Sequence, residues 1–354
     1  MSRLSGRDDD IPAKGSRLVG GAEIRRLVCC ARGTAEMSEE YSRLAIHRWM
    51  LLDEVRNEAF RRAISAVVRP GDVVLDMGAG TGILAMFAAQ AGAAKVHAVE
   101  RTSIAEVARE LIARNQLADR IEVHYCDLED VVLPSKVDVI VSEWMGAFGV
   151  DENMLAPLVI ARDRWLREGG IIVPERVTAW LAPMWVVELD DELRHWSSRP
   201  HGIDMQLINE LSRHEPVMTQ WRVTPDDLVA PPQAMWSHDA RTCSLAVADS
   251  TFEARLTFTA SRDAQLSALA AWFDAVMCEG IALTNAVGAP RTHWGRMMLP
   301  LVRTHEVKRG ATIRTELRCE PSSPTSSHIY WSVQIDDGPI EQHDTRALRA
   351  ARFT

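Results

Sequence analysis

The segment Val73–Gly82, reading VVLDMGAGTG, constrains this chain more than any other stretch. A short apolar run ends in Asp76, and three glycines follow at alternate positions, Gly78, Gly80 and Gly82. The helix-like run ILAMFAAQAGA comes directly after. Glycines at such a turn let backbone approach a ligand closely, and the helix N-terminus behind them offers free N–H groups. A strand, a glycine turn and a helix in that order predict the opening unit of a parallel α/β sheet.

The following residues repeat the alternation. Lys95–Glu100 reads as a second strand, SIAEVARELIARNQ as a helix, Ile121–Cys126 as a third strand and Val137–Ser142 as a fourth. The helix NMLAPLVIARDRWL closes the series. Before it, a four-residue apolar spacing from Glu36 to Val68 predicts N-terminal helices that stop at Pro70-Gly71. After Gly169-Gly170 the pattern changes to β-rich segments such as ARLTFTA, TIRTELRCE and HIYWSVQID, which predict an antiparallel half.

The glycine spacing decides the ligand class. A dinucleotide fingerprint requires G-x-G-x-x-G, whereas here the third glycine comes one residue early. The G-x-G-x-G form behind an acidic residue resembles that of S-adenosylmethionine-binding domains. Glu100, ending the second strand, stands where a carboxylate holds ribose hydroxyls, and Glu129, after the third, is expected to meet the adenine amino group.

Composition narrows the remaining classes. With 354 residues the chain has length for about two domains. Its net charge of −9 argues against general nucleic-acid binding. No uncharged apolar run approaches the ~18 residues of a membrane span, and the first residues lack the apolar stretch of a signal peptide, so a cytoplasmic protein is expected. The six cysteines form no CxxC or Cys/His ligand spacing; reduced thiols and no metal are expected. Only four of the 40 basic residues are lysines, a skew that suggests a GC-rich bacterial genome.

The loop after the fourth strand carries the second motif, Ser142-Glu143-Trp144-Met145-Gly146 through Asp151-Glu152. Two glutamates nine residues apart, at the carboxyl end of a parallel sheet, can fold back as a carboxylate pair. With it come the Ile46-His47-x-x-Met50-Leu51-x-Asp53-Glu54-Val55-Arg56 helix and Thr292-His293-Trp294. By these motifs and the glycine loop, the chain from about Glu36 to its end resembles the protein arginine methyltransferase family. Met50 and the Thr-His-Trp form resemble its asymmetric-dimethylating subclass.

That resemblance implies a Rossmann-like class I S-adenosylmethionine-dependent methyltransferase domain followed by an antiparallel β-barrel with an inserted helical dimerisation arm. The implied division is a flexible segment 1–35, a cofactor domain 36–174 and a barrel 175–354 with the arm at 190–222, through which two copies form a homodimer. It implies cofactor contacts for His47, Met50, Arg56, Asp76, Gly78, Gly80, Gly82, Glu100 and Glu129, with Arg56 on the cofactor carboxylate. It makes Glu143, Glu152 and His293 catalytic, pairs His293 with Asp53, and puts Tyr41, Met145, Asp151 and Trp294 at the acceptor. Two carboxylates fixing a planar guanidinium suit such chemistry, since they polarise charge away from the attacking nitrogen.

Some positions depart from the family pattern. Met37 and Ser38 stand where aromatic residues are usual, and Ala147 and Asp151 where tyrosines often flank the glutamate loop. A less aromatic, more acidic mouth leans the expectation towards free L-arginine, giving Nω-methyl-L-arginine, as in bacterial free-arginine methyltransferases of the streptozotocin pathway and hence antibiotic biosynthesis. Arginine in a peptide or protein is the alternative acceptor, and a catalytically silent cofactor-binding scaffold the alternative class.

Overall fold

Asp53 separates two helices, α1 (Leu44–Leu52) and α2 (Glu54–Val67). Its Oδ1 accepts the main-chain N–H of Arg56 at 2.9 Å, satisfying one of the unpaired donors at the start of α2. The computed structural model describes residues 41–323 and 326–347. Segment 1–35, the start of the expected N-terminal helix at Glu36, Met37, Ser38 and residues 348–354 lie outside that range. α2 buries Phe60, Ala63 and Ile64 and packs on strands of the second half, so it bridges both halves.

The first half is a five-stranded parallel sheet. Its strands are β1 (Val73–Met77), β2 (Lys95–Glu100), β3 (Ile121–Tyr125), β4 (Val137–Ser142) and β5 (Leu166–Val173), ordered β3-β2-β1-β4-β5. Helices α3 (Ile83–Gln90), α4 (Ile104–Arg114) and α5 (Leu155–Trp165) connect them. Four of the five β1 residues are buried, as expected of a strand covered on both faces. β5 is a strand that apolar patterning misses. It contains Gly169 and Gly170, follows α5 without a break, and shifts register against β4. Two glycines read as a terminator, yet here they lie within the pairing.

The second half consists of antiparallel strands in two sheets that share one core. One is ordered β7 (Val217–Thr219), β12 (Arg296–Val307), β10 (Ala264–Cys278), β6 (Arg176–Met184) and β8 (Gln233–Asp239), with β11 (Ile281–Thr284) also on β10. The other is β15 (Glu341–Asp344), β14 (Ser326–Ile335), β13 (Thr312–Ser323) and β9 (Phe252–Thr259). Between them Trp331 is fully buried and donates its indole N–H to the Pro300 carbonyl at 3.0 Å. Between β6 and β7 the chain forms α6 (Val187–Ser197) and α7 (Gln206–Ser212). The segment 177–189, VTAWLAPMWVVEL, whose β-rich composition predicts a strand, is only partly strand: it leaves the sheet after Met184, and Val187 already belongs to α6.

Candidate functional site

Gly78, Gly80 and Gly82 have φ of +70°, +53° and +80°, a region where side chains are strained. This turn brings the Gly80 N–H to Glu100 Oε2 at 2.9 Å, while Thr102 N–H donates to Oε1 at 2.7 Å. Glu100 is therefore fixed at the end of β2 with lone pairs left over, on the wall of a cavity of about 140 Å³. Gly78 and Gly80 line the same cavity. Gly82 does not. It caps α3 and faces Ala108 and Ile112. Asp76 also lies behind the wall, fully buried, accepting the Ala85 N–H at 2.8 Å and thereby tying β1 to α3. Burial pushes its carboxyl up to about 7.

Helices α1 and α2 also contribute to the wall. Met50 lines it, and His47 stands so near Gly80 that a Cβ there would meet its ring at 3.0 Å. His47 Nε2–H donates to the Tyr41 carbonyl at 2.8 Å. Arg56 is almost wholly buried beneath the cavity. Its Nε and one terminal nitrogen pair with Glu143, and the other donates to Asn57 Oδ1 at 2.7 Å. The Tyr41 hydroxyl bonds Glu152; burial first, then the carboxylates of Glu152, Glu143 and Asp151, push its pKa up and keep it neutral.

Glu143 and Glu152 both reach this cavity, because the loop between them is closed from inside. Ser142 Oγ donates to the Met77 carbonyl at 2.9 Å, fixing the end of β4 just before Glu143. Gly146 and Gly149 exchange main-chain hydrogen bonds, and Asp151 accepts the N–H of Ala147 at 3.0 Å and of Phe148 at 3.1 Å. Asn153, at φ +58°, donates to the Ser323 and Ser326 carbonyls at 2.7 Å each, and Ser327 Oγ donates to the Asp151 carbonyl at 2.9 Å. Glu152 is thereby held between two residues anchored to β13 and β14.

Three expected acceptor residues are placed differently from expectation. Asp151 is buried in its own loop, where its short carboxylate meets two adjacent N–H groups, and it does not line the mouth. Met145 is fully buried, with its carbonyl accepting the Trp294 indole N–H at 3.0 Å. Trp294 faces a second cavity of about 460 Å³ shared with His293, Asp53, Trp49, Leu52 and Met218. Glu129, expected at the adenine, is exposed and off the first cavity's wall; β3 is an edge strand ending at Tyr125, so residue 129 has already turned outward.

His293 links the two halves. Its Nδ1–H donates to Asp53 Oδ2 at 2.9 Å, and its Nε2 lies 3.7 Å from Glu143 Oε1. Burial would raise the Asp53 pKa, but the His293 hydrogen bond and the N–H donors of Arg56 and His293 outweigh it and hold the carboxyl below its usual range. Residues that patterning did not single out are Thr102, Asn153, Asn285 and Ser327. Asn285 donates to both the Ala147 and Gly295 carbonyls at 2.8 Å, joining the glutamate loop to the loop of His293. Their role is backbone bracing, which leaves no periodic trace. The assembled cavity is lined by a glycine turn, a ribose-type carboxylate and two further carboxylates, an arrangement suited to a nucleoside ligand beside a cationic group.

Residues 175–336 match the arginine methyltransferase oligomerization subdomain, and residues 61–159 match the family of ribosomal protein L11 methyltransferase (PrmA). Protein arginine N-methyltransferase 6 of Danio rerio is 34% identical over 86% of this chain and 90% of its own length. Protein arginine N-methyltransferase 1 of Chlamydomonas reinhardtii is 35% identical over 84% of this chain and 87% of its own. Among solved structures, the Trypanosoma brucei PRMT1 enzyme-prozyme heterotetrameric complex with AdoHcy superposes with a TM-score of 0.76 at 28% identity, over 87% of this chain and 100% of that one. The fold and both halves of the sequence agree on one conclusion: this chain belongs to the protein arginine methyltransferase family.

Proposed function

We propose that this chain, an S-adenosylmethionine-dependent arginine N-methyltransferase by family, methylates arginine side chains within peptides or proteins. The observation that carries the reading is the convergence of Glu143 and Glu152, from the two ends of one loop, on the cavity that the glycine turn also lines. The residues fit the cofactor. Gly78 and Gly80 present bare backbone on the cavity wall, Glu100 retains acceptor capacity for ribose hydroxyls, and Arg56 supplies a buried cation for a carboxylate. When bound, the cofactor supplies an electrophilic methyl group on a sulfonium.

Glu143 and Glu152 then hold the acceptor guanidinium by charge-assisted hydrogen bonds and draw its positive charge away from the attacking nitrogen. Positioning carries much of the barrier reduction, because both carboxylates are fixed by the braced loop before the acceptor arrives. Asp53 orients His293 so that Nε2 faces Glu143, and this side of the site takes the proton that the nitrogen sheds after its charge rises. Met50 and His47 close the cofactor side.

The lean towards free L-arginine loses its structural basis. Asp151 is turned inward onto the N–H groups of its own loop and does not line the cavity, and Ala147 is fully buried. The relatives are named as protein arginine methyltransferases, which supports the peptide acceptor. Purified chain with labelled cofactor is given an arginine-rich peptide or L-arginine, and products are read by mass. Labelled peptide is expected; label on L-arginine alone overturns the proposal.

The helices α6 and α7 are proposed as the dimerisation arm of a homodimer. Val187, Leu207 and Ile208 on these helices and Ile203 between them are exposed apolar side chains, and the match to an oligomerization subdomain supports it. Light scattering is expected to give twice the chain mass, falling to one when residues 190–222 are replaced by a short linker.

A further inference from the structure

The parallel pairing of β2 with the edge strand β3 sets His97 beside Glu122 and Val99 beside His124. Strand alternation sends Glu122 and His124 to the same face, and the register lays His97 against both. His97 Nδ1 lies 3.0 Å from His124 Nε2 and 4.0 Å from Glu122 Oε2, and His124 Nε2 lies 3.9 Å from Glu122 Oε1. One atom from each residue falls within 4.8 Å of the other two. None of the three lines the cavity of Glu143 and Glu152.

We infer that His97, Glu122 and His124 form a binding site for one divalent transition-metal ion of the zinc, cobalt or nickel class. Around an ion with bonds of ~2.0–2.2 Å, tetrahedral donor atoms stand roughly 3.3 Å apart, a spacing the three observed distances bracket. The adjustment falls on Glu122, the exposed member, while His97 at 3% exposure holds its place. Two imidazoles with one carboxylate suit this metal class, whereas an all-oxygen shell would suit calcium or magnesium. In the metal-free protein one imidazole N–H donates to the other ring; to take the ion, that imidazole moves its proton to its other ring nitrogen, and both rings coordinate as neutral ligands. Lys95 Nζ, 3.0 Å from Glu122 Oε2, competes for one carboxylate oxygen and leaves the other for the ion.

Cysteine spacing predicts no metal site, because this one is built by strand pairing between residues 25 apart in sequence. Its effect is a cross-link between the edge strand and β2, the strand that ends in Glu100. Full-length chain stripped with chelator is titrated with cobalt(II) and zinc(II), following heat, visible cobalt absorption and thermal midpoint. One equivalent, a cobalt d–d band and a raised midpoint are expected. Glu122→Gln and His124→Gln should each weaken binding roughly tenfold or more while leaving metal-free methyl transfer unchanged. The first alters only an exposed side chain, so it reports even where the second unfolds. Absence of saturable binding, or unchanged binding in Glu122→Gln, overturns the site.

Discussion

Asp53 Oδ2 accepts two hydrogen bonds from one residue, the His293 main-chain N–H at 2.7 Å and its ring Nδ1–H at 2.9 Å. The other oxygen of the same carboxylate caps α2. Asp53→Asn keeps a capping oxygen but loses the charge that orients the imidazole. Turnover is expected to fall roughly 10²-fold with little change in cofactor affinity. Equal loss in both would mean that Asp53 serves only the fold.

Arg56 and Glu143 are paired with each other, yet each has a separate proposed partner. Arg56→Ala should weaken S-adenosylhomocysteine binding about 10–100-fold, the worth of a lost charge-assisted contact. Glu143→Gln should leave that affinity within about threefold and cut turnover roughly 10²–10³-fold. Calorimetry and steady-state rates on both variants separate the roles; the reverse pattern would exchange them.

Gly146 has no room for a side chain, since a Cβ there would stand 2.5 Å from the Asp151 carboxylate. Gly146→Ala is expected to cost about 1–3 kcal/mol and most of the activity, because relief requires opening the loop that sets Glu143 and Glu152. Thermal melts with assays of the soluble fraction test this. A fully active, equally stable variant would contradict the role given to Asp151.

Glu341 joins β15 to β12. Burial would raise its pKa, but hydrogen bonds from His305, His343 and the Val302 N–H bring it down to about 2. A carboxyl depressed in the folded state contributes stability above its unfolded pKa near 4.5, and loses it as pH falls towards 2. Glu341→Gln should therefore cost on the order of 2 kcal/mol at pH 7, allowing for partial solvent screening, and progressively less below about pH 4. Urea melts across that range measure it; a pH-independent difference would remove the carboxylate from the account.

The parallel sheet was legible because short apolar-rich strands that end near polar residues, as at Asp76, Glu100 and Ser142, largely alternate with helical periods. β5 was hidden by Gly169-Gly170, where a turn signal sits inside a paired strand. At the site, residue type pointed to Glu100, Glu143 and Glu152, three carboxylates that the fold brings to one cavity. It misjudged Asp151, because a short carboxylate beside two free N–H groups satisfies its own backbone instead of facing solvent. It was silent on Asn153 and Ser327, whose partners lie about 170 residues away. Such contacts exist only once the second half has folded against the first.

The hydrogen bonds of Asn153 and Ser327 mean that the two glutamates answer to different bodies. Glu143 extends from the parallel sheet, whereas Glu152 is moored to the β13–β14 hairpin of the antiparallel half. Their separation works like the gap of a caliper whose jaws are the two halves. Any loosening along that seam opens the gap before either half melts, so turnover should fail at lower denaturant than the circular dichroism of the folded chain. Substitutions at Ser327, far from any reacting atom, should be felt first in the fit of the acceptor.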